Sequence, residues 1–193
     1  MSDSSDPVAR AALILLLQMA HAGELAAARA YRGHAASWWA RRERAEIQAI
    51  EADEWRHRRD AGRMLAELGG RPQPWREGRM WLIGSTIGLL CHPGGWLVPM
   101  LGAAVLERSN VDQYETAARL ARQAGYPAFV PCLLEMAETE WDHQAWFLAR
   151  VASHWLGRRL PFLLNPAAKL SPRETIRSQF DSWCAEATQV TGV

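Results

Sequence analysis

Apolar positions recur along most of the chain at the three- and four-residue spacing of amphipathic α-helices. This pattern predicts helices over residues 8–39, 41–68, 99–123 and 128–156, and a shorter last helix over residues 172–185. No stretch of the sequence alternates apolar and polar residues as a half-buried strand would. We therefore predict an all-α protein.

Each of the four long predicted helices places ionisable side chains inside its apolar stripe. On the second helix the stripe is Ile47, Ile50, Glu54, His57, Ala61 and Met64, and on the fourth it is Leu133, Met136, Glu140, His143 and Phe147. On the first helix Leu17, Glu24 and Tyr31 are seven residues apart and share a face, and on the third Ala103, Glu107, Asn110, Tyr114 and Ala117 do so. Buried carboxylates repel one another unless a cation lies among them, so these stripes indicate a metal site.

The ionisable residues of the stripes form a repeat: one Glu, then Glu-x-x-His, then one Glu, then Glu-x-x-His. Glu24 precedes Glu54 by 30 residues, and Glu107 precedes Glu140 by 33. Both side chains of a Glu-x-x-His pair project from one helix face toward a common centre. This is the ligand inventory of a di-iron site in a ferritin-like four-helix bundle. The predicted iron ligands are Glu24, Glu54, His57, Glu107, Glu140 and His143.

The ligand types also predict individual roles. Carboxylate oxygen and imidazole nitrogen suit iron and leave positions open for dioxygen. We assign Glu54 and Glu140 as bridging carboxylates, and Glu24 and Glu107 as terminal ones. Four buried carboxylates would destabilise the protein without metal.

A gap of 50 residues separates His57 from Glu107 and predicts the long crossover of a ferritin-like bundle. From Met80 to Leu106 this crossover carries no formal charge. Residues 92–95, His-Pro-Gly-Gly, interrupt it, so each half is too short to cross a bilayer of ~30 Å.

We predict instead that residues 79–99 form a helical hairpin in one leaflet of a membrane, with Trp81 and Trp96 near the lipid headgroups. The alternative is a hydrophobic helix buried against the bundle or against a dimer partner. An apolar surface of this size indicates an interface in either case.

Length, charge and cysteine content narrow the class of protein. The 193 residues suit one domain, which we place at residues 8–156, between a disordered tail over residues 1–7 and an extension with one helix over residues 157–193. The net charge of +1 does not favour nucleic acid. Three widely separated cysteines and the absence of a secretory signal favour a reducing, cytoplasmic setting.

Several motifs resemble those of the demethoxyubiquinone hydroxylase family. The first is His21-Ala22-Gly23-Glu24, followed by Arg29, Tyr31 and Gly33. The later ones are Glu54-x-x-His57, the apolar segment with Trp81, Gly84 and Gly88, the run Ala104-Val105-Leu106-Glu107 with Tyr114 seven residues on, and Glu140-x-x-His143. The similarity covers about residues 10–150.

The resemblance implies a non-haem di-iron monooxygenase that uses two iron ions, dioxygen and NADH. Such enzymes hydroxylate the ring of a polyprenyl demethoxyquinol in ubiquinone biosynthesis. It implies a peripheral membrane protein on the cytoplasmic face of the inner membrane, acting alone, as a homodimer or with a lipid-presenting partner. The six predicted ligands match the family's ligands, and Tyr114 matches a tyrosine beside the substrate channel, which makes it a candidate catalytic residue.

Some positions depart from the family pattern. Leu25 stands where the family usually has Tyr, Gln113 stands where it often has His, and residues 157–193 match nothing in it. These departures leave open a di-iron oxygenase of another lipid or of a specialised metabolite. Hydroxylation of a tRNA base, iron storage or peroxide scavenging, and a metal-free membrane-associated bundle are further alternatives.

Overall fold

The computed structural model describes residues 6–155 and 157–159, and within them every regular element is helical. The α-helices are α1 (Pro7–Ala36), α2 (Arg44–Glu67), α3 (Pro74–Leu90), α4 (Leu97–Gln123) and α5 (Val130–Ser153), with short 3₁₀ turns at Pro127–Phe129 and Gly157–Arg159. The all-α prediction is confirmed for this part of the chain. The helix predicted over residues 172–185 lies outside the described residues, as do nearly all of the extension and most of the tail.

The first two helices are shorter than predicted where they meet. Helix α1 ends at Ala36 rather than at residue 39, because Ser37 turns into extended backbone with φ −64° and ψ 147°. Residues 37–43 contain neither Gly nor Pro, so the sequence carries no signal for this break. At the other end of α1, Asp6 caps the helix as predicted, accepting a hydrogen bond of 2.8 Å from the Val8 amide.

Two apolar clusters show how the long helices pack. One cluster joins the start of α1, the end of α2, the second half of α4 and the start of α5, around Leu17, Met64 and Leu133. The other joins the end of α1, the start of α2, the start of α4 and the end of α5, around Ile47 and Phe147. Helices α1 and α2 therefore run antiparallel, as do α4 and α5. On all four helices the predicted ligands lie between the two clusters.

Helix α3 packs directly on α1 through glycines. A Cβ built on Gly84 would overlap the carbonyl of Ala26, and one built on Gly88 would lie 2.8 Å from the carbonyl oxygen of Arg29. The Arg29 side chain adds a hydrogen bond of 2.6 Å from Nε to Oγ of Ser85. Small residues on both helices thus bring the two backbones into contact.

The crossover consists of α3, a turn over residues 91–96 and the start of α4. Helix α3 begins at Pro74, and its glycine face packs on α1. Whether its other face meets lipid stays a prediction. Trp96 is half-buried and stacks on His154, with ring centroids 4.6 Å apart. The opposite face of α3 is exposed and apolar, and Leu89 there is 70% exposed.

Helix α1 is long and apolar enough to cross a membrane by length and composition alone. Its contacts with α2, α3 and α4 instead make it the central helix of the bundle.

Candidate metal centre

The six predicted ligands converge in the core as two overlapping groups. One group is Glu24, Glu54, His57 and Glu140, and the other is Glu54, Glu107, Glu140 and His143. Within each group, one ligand atom of every residue lies within 4.8 Å of the others. All six side chains are buried, and Glu54, Glu107 and Glu140 have no exposed surface. Glu54 and Glu140 belong to both groups, which is the position that the bridging assignment requires.

Several polar atoms of the predicted ligands receive no hydrogen bond from the residues that the structure describes. They are both carboxylate oxygens of Glu54, Oε2 of Glu24, Oε2 of Glu140 and Nδ1 of His143. Nδ1 of His143 lies 3.6 Å from Oε1 of Glu54 and 3.7 Å from Oε2 of Glu140. Buried polar atoms are normally satisfied by a partner, and here the atoms without donors face one another. The donor set fits a pair of cations between the helices.

Burial and mutual repulsion perturb the protonation of the centre. Burial raises the pKa of Glu140 to about 8. Burial and the neighbouring carboxylates Glu140, Glu24 and Glu107 raise the pKa of Glu54 well above its usual range, and burial likewise raises the pKa of Glu107. Burial lowers the pKa of His57, which keeps its imidazole neutral. The carboxylates therefore hold protons unless a cation offsets their charge.

Two buried tyrosines hold the terminal carboxylates in a crossed arrangement. Tyr31 follows Glu24 by seven residues but donates its hydroxyl hydrogen bond to Oε1 of Glu107. Tyr114 follows Glu107 by seven residues but donates to Oε1 of Glu24. Burial raises the pKa of both phenols well above the usual value, so both remain donors. Both tyrosines belong to the inward stripes, and the structure gives Tyr31 a place equivalent to that of Tyr114.

An acidic side chain outside the predicted set orients one of the histidines. Nε2 of His143 lies 3.2 Å from Oδ2 of Asp53, so Nδ1 faces the centre. Asp53 also pairs with Arg56 at 3.2 Å. Asp53 therefore supports His143 from outside the group of predicted ligands. A carboxylate behind a ligand histidine fixes its tautomer and raises its basicity.

Two further histidines lie outside the centre. Nδ1 of His21 lies 2.8 Å from Oε1 of Glu77 on α3. Arg58 on α2 completes this link between three helices, 2.7 Å from Oε2 of Glu77. His34 is buried against Phe147, and burial lowers its pKa to about 4.

Comparisons of the chain with protein-family models, with curated proteins and with solved structures found no match.

Proposed function

We propose that the protein is a ferritin-like di-iron carboxylate oxygenase. The observation that carries the proposal is the pair of buried ligand groups that share Glu54 and Glu140. Four carboxylates and two imidazoles, supplied by two helical hairpins, are the donor set that such centres use. A purely structural polar core would instead require hydrogen-bond donors on both carboxylate oxygens of Glu54, which receive none from the described residues.

In this proposal Glu24, Glu54, His57 and Glu140 would hold one iron ion, and Glu54, Glu107, Glu140 and His143 would hold the other. The bound iron would supply the redox chemistry that reduces dioxygen, with electrons from NADH, and transfers one oxygen atom to an organic ring. Two ligands of this inventory are held in place before metal binds, because Tyr31 and Tyr114 bond their carboxylates.

The chain itself shields this chemistry from water. An apolar cluster lies on each side of the ligand layer along the bundle. We assign Tyr114 a catalytic role in this proposal, because its hydroxyl donates to Glu24 inside the buried centre and the family resemblance matches it to a tyrosine beside the substrate channel.

The proposed substrate is a polyprenyl demethoxyquinol, hydroxylated during ubiquinone biosynthesis. The similarity of the His21–Glu24 motif and its successors to that family supports this choice. So does the exposed apolar face of α3, where Leu82 and Leu90 are 60% and 58% exposed. This face would rest on the cytoplasmic surface of the inner membrane and leave the polyprenyl tail in the lipid. A homodimer or a lipid-presenting partner is compatible with the same face.

A quinone profile of cells tests this proposal directly. Mass spectrometry would compare wild type, cells lacking the protein, and cells carrying Glu54→Ala or Glu51→Ala. Glu51 is the matched control, because it lies one turn earlier on α2 and pairs with Arg32 at 3.2 Å rather than with a ligand. A quinone lacking one methoxy group should accumulate in the deletion and Glu54→Ala strains only. An unchanged profile in a strain without a second hydroxylase would refute the assigned substrate.

The alternative keeps the di-iron centre and changes the substrate to another lipid or to a specialised metabolite. Leu25 and Gln113 favour it, because both depart from the family pattern on helices that carry ligands. Retained iron and dioxygen consumption together with a normal quinone profile would support this alternative.

A further inference from the structure

A chain of aromatic rings runs from the metal centre toward the surface. The ring of Tyr31, whose hydroxyl bonds Glu107, stacks on Phe147 with centroids 5.7 Å apart and planes at 15°. Phe147 then meets the edge of the Trp146 indole at 4.9 Å and 80°. Both separations are those of aromatic pairs in direct contact. Tyr31 and Phe147 are buried, whereas Trp146 is partly exposed.

The equivalent tyrosine of the other half is placed differently. Tyr114 lies edge-on to His57, with centroids 5.8 Å apart and planes at 69°. His57 is itself a predicted ligand, so this ring contact leads back into the centre. Each helical hairpin, α1–α2 and α4–α5, therefore contributes one tyrosine that bonds a predicted ligand. The two tyrosines differ in their ring contacts, because Tyr31 stacks on Phe147 and Tyr114 contacts His57.

We propose that Tyr31, Phe147 and Trp146 form a protective electron route, which delivers single electrons to the centre when dioxygen has been reduced and no organic substrate is present to be oxidised. This inference rests on the proposed oxygenase function. Without such a route, an oxidised centre in a packed core would oxidise the side chains around it. A closed site excludes side reactions with water, but it does not protect the protein's own side chains.

The electrons and protons balance along this route. Tyr31 gives one electron to the oxidised centre, and its hydroxyl proton moves along the hydrogen bond to Oε1 of Glu107. Trp146 then supplies one electron through the contact with Phe147, and the proton returns from Glu107 to restore the phenol. Trp146 loses its indole N–H proton to water, and a thiol in solution reduces the resulting neutral radical. Without a thiol, dioxygen adds to that radical to form a peroxyl radical. One electron from iron(II) in solution and one proton from water then convert it to a hydroperoxide, which leaves an oxygenated indole.

The surroundings of Trp146 favour loss of a proton together with the electron. The guanidinium of Arg150 lies 5.3 Å from the centre of the indole ring and opposes a positive charge on it. Glu46 pairs with Arg150 at 3.6 Å and partly offsets that effect. The neutral radical is therefore the form that this position supports.

The test uses the full-length protein loaded with iron(II) and exposed to dioxygen without substrate or thiol. Iron content and dioxygen uptake are measured on each sample, and peptide mass spectrometry locates oxygen added to tryptophan, normalised to dioxygen consumed. In wild type, Trp146 should be oxygenated several-fold more than Trp38, although Trp38 is 68% exposed. Oxidants that escape into solution would produce the opposite order.

Variants separate the route from general damage. Phe147→Leu and Tyr31→Phe should each lower the oxygenation of Trp146 several-fold and leave Trp38 unchanged, whereas Phe129→Leu, which alters a ring stacked on Tyr126 in the other apolar cluster, should retain it. In Phe147→Leu a tyrosyl radical should accumulate in samples frozen during the reaction and examined by electron paramagnetic resonance. Circular dichroism confirms that each variant is folded.

Two results would overturn the inference. If iron binds and dioxygen is consumed but Trp146 is oxygenated no more than Trp38, or equally in wild type and Phe147→Leu, the route is wrong while the oxygenase function stands. If no iron binds or no dioxygen is consumed, the proposed function fails and the route fails with it.

Discussion

Removal of metal should make the stability of the protein fall as the pH rises from about 6.5 to 8. The reason is that Glu54, Glu107 and Glu140 have raised pKa values in the folded, metal-free chain. The folded state then holds protons that the unfolded state has already released. Stability that these groups contribute is complete at low pH and is lost as the pH rises above the unfolded pKa toward the folded one.

The magnitude follows from Glu140, whose pKa rises from 4.5 to about 8. Each extra proton bound by the folded state costs about 1.4 kcal/mol of stability per pH unit, so Glu140 alone lowers the free energy of unfolding by ~2 kcal/mol between pH 6.5 and 8. Glu54 and Glu107 change the stability in the same direction, because burial raises their pKa values as well. The loss from Glu140 alone is already a large part of the ~5–15 kcal/mol that stabilises a domain.

The pH range begins at 6.5 so that the titration of the buried histidines does not contribute to the measured change in stability. Burial lowers the pKa of His34 to about 4 and also lowers that of His57. Their contribution is lost as the pH falls below the unfolded pKa of about 6.5, which is the opposite direction. Bound metal replaces the carboxyl protons, so the loaded protein should show no decline between pH 6.5 and 8.

Urea denaturation followed by circular dichroism, with chelator or with iron(II) under anaerobic conditions, measures this dependence. In the metal-free protein, Glu140→Gln should reduce the slope of the unfolding free energy against pH by the contribution of one proton. Glu67→Gln, at an exposed position on α2, should leave that slope unchanged. Metal-free stability that stays constant or rises over this range would refute the reasoning, as would an unchanged slope in Glu140→Gln.

Three further variants test the packing, the support of the ligands and the exposed face. Gly84→Ala should destabilise the protein by about 1–3 kcal/mol because the added Cβ meets the α1 backbone, whereas Gly78→Ala, with nothing within 4 Å, should be neutral or stabilising in thermal unfolding. Asp53→Asn should weaken iron binding by about 10–100-fold in a chelator competition, because it removes the charge behind His143; equal affinities would contradict the assigned role. Leu89→Glu should reduce co-sedimentation with phospholipid vesicles without lowering the melting temperature, since this side chain is 70% exposed; unchanged sedimentation would show that lipid does not contact the α3 face.

The positions of the ligand residues were predictable because helix periodicity determines which side chains share a face. Glu54 and His57 had to project together, and the same holds for Glu140 and His143, once both segments were assigned as helices. The crossed tyrosine bonds were not predictable. Tyr31 reaches Glu107 only because α1 and α4 face each other in the bundle, and spacing along one helix does not determine its partner on another.

The packing of α3 also lay beyond the sequence pattern. An uncharged segment can face lipid or protein, and hydropathy alone does not separate these cases. Gly84 and Gly88, four residues apart, were a usable signal, because small residues at that spacing allow close helix contact. They divide the segment into a face that contacts α1 and a face that remains exposed.

The doubled motif gives both halves of the bundle the same predicted ligands, but their surroundings differ. Asp53 precedes Glu54 and supports His143 across the bundle, whereas Thr139 precedes Glu140 and bonds the carbonyl of Glu135 instead. The tyrosines do not distinguish the halves, because Tyr31 donates to Glu107 and Tyr114 donates to Glu24. In the proposed centre, the Asp53 carboxylate would fix the orientation of one imidazole and leave the two metal positions with unequal support. A departure from the repeat, and not the repeat itself, would therefore make the two positions different.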